Sequence, residues 1–117
     1  MHEKQVKDVQ LPRAEAIALL NDRLRKTGKG GAIVVTRNVM SLAGFDAQTL
    51  AETIAVYDCF DAHNDPHGER DFGDLKLWGA DLLWKIDYYD TYVEFGLDDP
   101  TDPSKTTRVL TVMTPAD

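Results

Sequence analysis

The densest run of residues able to do chemistry is Asp61-Ala62-His63-Asn64-Asp65-Pro66-His67-Gly68-Glu69-Arg70-Asp71. His63 and His67 bracket Asn64-Asp65-Pro66, with Asp61, Glu69 and Asp71 close in sequence. Neutral imidazole and carboxylate suit zinc, manganese or iron, so His63, Asp65 and His67 make a weak candidate metal set. Pro66 opposes it, because proline breaks the helical i, i+4 geometry that brings two histidines onto one face. Neither His-Glu-x-x-His nor the EF-hand ligand pattern occurs. The plainer expectation is a turn, free of cofactor, in which Asn64 and Asp65 bond their own backbone.

Other candidates are thinner. Cys59 has His63 four residues on, the spacing of a nucleophile and a base, but a lone cysteine near a helix end is expected to be packing. Asp71-Phe72-Gly73 spells the magnesium tripeptide of kinases without the glycine-rich and catalytic loops that give it meaning. Gly28-Lys29-Gly30-Gly31 precedes a strand, where a phosphate loop must follow one. Ser41 and Ser104 lack a nucleophile elbow.

These residues need a scaffold, and the apolar pattern supplies one. Ile17, Leu20 and Leu24 make a helical stripe between Arg13 and about Lys26, with Pro12 at its start and Gly28 as its stop. Ala32 to Thr36 is a β-branched run behind glycines and reads as a strand. Asp46 caps a second helix, expected to run to about Phe60, with Leu50, Ile54 and Tyr57 on one face. Residues 61–74 lack a period and read as a loop. Leu75–Trp78 and Ala80–Tyr89 read as a hairpin about Gly79, with Leu82, Trp84, Ile86 and Tyr88 alternating against Asp81, Lys85 and Asp87. Residues 98–103 form a turn-rich connection, and Arg108–Met113 closes the chain as a strand. The expected fold is α+β: an antiparallel sheet of about four strands with two helices on one face. Residues 1–12 form a polar segment, and 13–117 a single domain.

Composition narrows the class. The 117 residues are 43% hydrophobic and 28% charged, as in an ordinary globular domain. No apolar run is long enough to span a membrane, and the first residues lack the apolar core of a signal peptide, so a cytoplasmic protein is expected. One cysteine excludes an internal disulfide and a cysteine-based zinc finger.

The net charge of −7 is unevenly spread. Residues 1–45 carry eight basic and four acidic groups, whereas 46–104 carry fifteen acidic groups against Arg70, Lys76 and Lys85. Twelve of those fifteen are aspartate, a residue of caps and turns, so this charge belongs in loops and at element ends.

Three stretches carry a resemblance. They are Asn64 to Gly73, Leu83 to Asp90, and Asp99 to Pro103 with Thr107 to Met113; Leu20 to Arg25 and Gly30 to Arg37 fit the same pattern. Together they resemble the DUF3768 family, whose loop more often reads Asn-Asp-Pro-Tyr-Gly-Glu-His-Asp-Phe-Gly. Here His67 and Arg70 stand where that pattern has tyrosine and histidine. The resemblance implies a small bacterial protein found near mobile genetic elements, with possible roles against restriction or other host defence.

Two functions follow as expectations. The first is a non-enzymatic binding protein, monomeric or homodimeric, whose acidic surface meets a basic protein, including one that normally holds nucleic acid. Asp61, Asp65, Glu69, Asp71, Asp87, Asp90, Asp98, Asp99 and Asp102 would supply the potential, and Tyr89 and Tyr92 the anchors. Direct nucleic-acid binding by this face is disfavoured, because Asp87, Asp90 and Glu94 would repel phosphate. The second is a small metal-dependent or acid/base enzyme using His63, Asp65, His67, Glu69 and Asp87.

Overall fold

The computed structural model describes residues 11–90 and 100–117. Helix α1 (Arg13–Thr27) leads to strand β1 (Gly31–Val35), a short helix α2 (Arg37–Met40), helix α3 (Ala47–Ala55), and strands β2 (Phe72–Leu77), β3 (Ala80–Tyr89) and β4 (Thr107–Met113). The sheet order is β1-β4-β3-β2. Pairs β2–β3 and β3–β4 are antiparallel, so the expected α+β class and four-stranded sheet hold.

One pairing differs from expectation. β1 lies parallel to β4, with Ile33 opposite Leu110. A parallel neighbour cannot be joined by a tight turn, and here the whole intervening chain makes the crossover. Sequence alternation marks both strands but does not reveal that the first and last elements are partners.

Local signals explain the helix ends. Gly28 adopts a left-handed conformation at φ 75° and returns its N–H to the Leu24 carbonyl, which terminates α1. The Thr36 hydroxyl caps α2, and the Asp46 carboxylate caps α3 by accepting the Thr49 N–H at 2.8 Å. α2 is a third helix that the apolar pattern did not indicate, being too short to show a period. α3 ends at Ala55 rather than near Phe60. Beyond it the chain turns so that Tyr57 and Phe60 pack edge-on against Trp84, at 5.5 and 6.0 Å between ring centres. Cys59 is thereby carried off the helix and is exposed, not packed as expected.

β2 starts at Phe72, earlier than the sequence suggests, so the tripeptide Asp71-Phe72-Gly73 leads directly into the sheet. The turn of the hairpin is Trp78-Gly79, with φ of 53° and 73°. Two positive values match the twist of paired strands. The non-glycine residue is held by packing, since Trp78 meets Phe45 edge-on at 5.5 Å.

All three helices lie on one face of the sheet. The core comprises Leu24, Val39, Leu50, Ile54 and Tyr57 against Leu82, Trp84, Ile86, Leu110 and Val112. Fully burying such side chains contributes about 1.5–3 kcal/mol each. Trp84 sits at the centre with no exposure. Gly73 pairs with it across the hairpin, and a Cβ there would lie 2.5 Å from the Trp84 indole nitrogen and 2.7 Å from the Tyr57 ring. Gly73→Ala is therefore expected to destabilise the fold by about 1–3 kcal/mol in urea unfolding, as overpacking does. Unchanged stability would show that the two rings have room to move.

Candidate functional site

The loop of residues 61–71 folds back over α1 and is fastened by polar groups that the core buries. α1 turns Ile17, Ala18, Asn21, Leu24 and Arg25 inward. Asn21 and Arg25 follow Ile17 by four and eight residues, so two polar side chains occupy the apolar stripe. On β4, Arg108 alternates with Leu110 and Val112 and is 1% exposed.

Two connected sets result. In the first, Asn21 accepts from Arg108 Nε at 2.9 Å and donates through Nδ2 to the Tyr88 hydroxyl at 2.8 Å and the Glu69 carbonyl at 3.0 Å. The Tyr88 hydroxyl donates to the Glu69 carboxylate at 3.0 Å. Arg108 also donates to the Pro100 carbonyl and stacks over the Tyr88 ring at 5.3 Å. Burial pushes the Tyr88 hydroxyl far above its usual pKa, so it stays a donor. Burial pushes the Arg108 guanidinium down, opposed by Tyr88 and the Glu69 carboxylate.

In the second set, Asp22 is shared by two arginines. Arg25 donates to it at 3.0 Å, and Arg70 reaches it through Nε at 3.1 Å and a terminal nitrogen at 2.9 Å. Arg25 also donates to the Ile54, Ala55 and Tyr57 carbonyls at 2.8–3.2 Å, closing the open end of α3. Arg70 lies 3.5 Å from Glu15 as well. Its backbone sits at φ 53°, held there by an N–H donated to the Asp65 carboxylate at 3.0 Å. The hydrogen bond with Asp22 raises the Arg70 pKa further, which fixes its positive charge.

The expected site residues fall into three groups. Asp61, Asp65, Glu69 and Asp71 share the loop. Asp61 accepts the His63 and Asn64 N–H groups at 2.8 and 3.1 Å, which lowers its pKa; of the two residues expected to bond nearby backbone, Asn64 accepts the Asp61 N–H at 3.0 Å and Asp65 accepts the Arg70 N–H at 3.0 Å. Asp87 and Tyr89 lie on the sheet face away from the helices, with Asp90 just beyond them, and Asp87 pairs with Lys85 at 3.2 Å. Tyr89 is half-buried rather than exposed. Asp102 caps a turn by accepting from the Ser104 N–H and hydroxyl. Tyr92, Asp98 and Asp99 lie outside the described residues.

Register brings the start of β2 after the loop, the end of β3 and the start of β4 after Asp102 toward one end of the sheet. The Asp71 carbonyl accepts the Ile86 N–H at 2.8 Å, and Tyr89 pairs with Thr107. The last residues of β3 thus run between the acidic loop and the connection that carries Asp102.

His63, Asp65, His67, Glu69 and Asp87 are not brought to one point. Glu69 turns inward to Tyr88, Asp87 pairs on the opposite face, and His63 lines an open depression of about 480 Å³ with Cys59, Asp61, Asn64, Phe72 and Asp74. Among the described residues, no three histidine, cysteine or acidic side chains are placed to hold a metal ion.

The geometry adds Asn21, Asp22, Arg25, Tyr88 and Arg108 to the residues singled out from sequence. The signal for Asn21, Arg25, Tyr88 and Arg108 was positional, each being a polar group where the helical or strand period requires an inward side chain; Asp22, beside that stripe, had none.

Comparison with known proteins gives one match. The family model of DUF3768, a protein of unknown function, covers residues 35–117. The chain belongs to this family. The matched segment includes the acidic loop, Tyr88 and Arg108, whereas α1 lies before it. No curated protein and no solved structure matches the chain.

Asp71 makes the loop's charge costly. Burial raises its pKa above the ordinary 3.8, and Glu69 and Asp65 push it the same way. A carboxyl that binds its proton more tightly when folded destabilises the fold once ionised, and that cost disappears as pH falls through the raised value. Asp71→Asn should therefore raise the melting temperature at pH 7 by roughly 1–3 °C, with the gain shrinking toward pH 4. A loss of stability at pH 7 would show instead that the ionised carboxylate is held favourably.

Proposed function

We propose that this chain is a binding protein that presents the acidic loop, together with the adjoining end of β3, to a basic surface on another protein. One observation supports this above the others. The loop's single cation, Arg70, is turned inward onto Asp22 and Glu15. Among the described residues, the exposed Asp58, Asp61 and Asp74 and the partly buried Asp65 and Asp71 form no ion pair, so the loop and its flanks carry carboxylates without a paired cation. Such a field steers a lysine- or arginine-rich partner and repels nucleic acid. The partner class that fits is a protein whose basic surface holds nucleic acid, and the chain would compete for that surface by matching its charge. An accessory role against a DNA-binding or defence protein in the bacterial cytoplasm accords with this chemistry.

An enzymatic reading has less support. General acid/base work needs its groups within hydrogen-bond reach of one reacting centre, and the candidate groups are divided between opposite faces of the sheet.

The test is capture from a lysate of the native host, with competition. A bound protein of basic surface should be released by added duplex DNA and by raising salt from about 0.05 to about 0.5 M, since exposed charges are then screened. Asp58→Asn, Asp61→Asn and Asp71→Asn together should weaken capture at least roughly tenfold, the equivalent of about 1.4 kcal/mol. Capture that is indifferent to DNA, salt and these substitutions would overturn the proposal.

A further inference from the structure

A different surface, the free edge of the described sheet, stands apart from the acidic loop. β1 is an edge strand of the sequence Gly-Ala-Ile-Val-Val, and it is exposed along most of its length. Ile33 and Val34 are 42% and 45% exposed. The Thr36 N–H donates to the Val112 carbonyl, so the alternation of the ladder points residues 32, 34 and 36 at β4 and turns the N–H and C=O groups of 31, 33 and 35 to the open side.

The other edge is defended and this one is not. β2 carries Asp74 and Lys76, charges of the kind that block edge-to-edge pairing. β1 carries none. Beside it, α3 stands off the sheet and leaves a groove of about 260 Å³ lined by Ile33 and Val35 on one side and Ala47, Leu50, Ala51 and Ile54 on the other, with the buried Arg25 also reaching its wall. A strand added to β1 would send its inward side chains into this groove, because alternate residues of neighbouring strands share a face.

Charge selects the occupant. The side chains of Arg23, Lys26 and Lys29 are exposed and precede β1 in the chain, Arg23 passing 4.0 Å from where a Cβ on Gly30 would lie, and no acidic residue lies between Arg23 and Arg37. At the other end Asp117 takes the hydroxyl of Thr36 and the amide of Asn38, which offsets Arg37. A second copy offering its own β1 antiparallel would bring its Arg37 toward those three cations, with Asp117, already bonded to Thr36 and Asn38, to set against them.

We propose that β1 and the β1–α3 groove bind an extended peptide of another protein as a fifth, antiparallel strand, with apolar residues at alternate positions and acidic residues at its C-terminal end. Main-chain hydrogen bonds supply the affinity, the groove reads the apolar side chains, and Arg23, Lys26 and Lys29 read the acidic end.

The probe is a fluorescent peptide, Thr-Val-Thr-Val-Thr-Val-Asp-Glu-Asp, followed by anisotropy against the full chain. It should bind at least roughly tenfold more tightly than the same peptide ending Lys-Arg-Lys and than a scrambled one. Ile33→Pro removes an outward N–H without touching the ladder to β4, and Ala51→Lys fills the exposed side of the groove. Each should weaken binding at least roughly tenfold while circular dichroism and melting temperature stay near wild type. Equal binding of the three peptides, or binding unchanged in the well-folded Ala51→Lys variant, overturns the proposal. So does a concentration-dependent dimer that Ala51→Lys abolishes, because the occupant would then be a second copy.

Discussion

The arrangement rests on a constraint of burial: the guanidinium groups of Arg25 and Arg108 and the amide of Asn21 lie in the core and must find partners there. A buried charge left without a partner costs several kcal/mol, whereas a fully bonded one is tolerated. Asp22 meets that demand for Arg25, whose Nε alone keeps no partner, and also takes the half-buried Arg70, while Asn21 meets it for Arg108. Each of these bonds ties together segments distant in sequence. Arg25 closes the end of α3, Arg108 holds the Pro100 carbonyl, and Arg70 holds the acidic loop. The same helix therefore positions the elements on both sides of it.

The consequence for the surface is a sorting of charge. The cation that could have neutralised the loop is used inside, where Glu15 and Asp22 of the otherwise basic N-terminal half receive it. The segregation visible along the chain is thereby sharpened in space. The carboxylates of the loop are left without a paired cation among the described residues, while Arg23, Lys26 and Lys29 are exposed ahead of β1 in the chain. Two surfaces of opposite character follow from one set of buried contacts.

Much of this was legible in the sequence wherever a local rule decides the structure. Gly28 and Asp46 act within one helical turn, and the alternation of β3 separates Trp84 from Lys85 by chain geometry alone. The self-bonded turn at Asp61–Asn64 is equally local. What escaped notice depends on distant partners. The parallel contact of β1 with β4 joins the two ends of the described fold. The early end of α3 reflects aromatic packing on Trp84 and the acceptance of Arg25 by its last carbonyls. Asn21, Arg25 and Arg108 hid because polarity is normally read as exposure, although their register in the helix and strand placed them inward. The inward turn of Arg70 needs Asp22, forty-eight residues earlier.

The claim that the acidic loop is held by its inward arginine is tested most directly by hydrogen exchange on Asp22→Asn. The amides to follow are Arg70, bonded to the Asp65 carboxylate, and Ile86, bonded to the Asp71 carbonyl. Releasing Arg70 should lower their protection at least roughly tenfold beyond any change in the global stability reported by the amides of the β3–β4 ladder near Trp84. Protection at Arg70 and Ile86 that tracks the global value alone would mean that the loop keeps its shape without the arginine, and the account would be wrong.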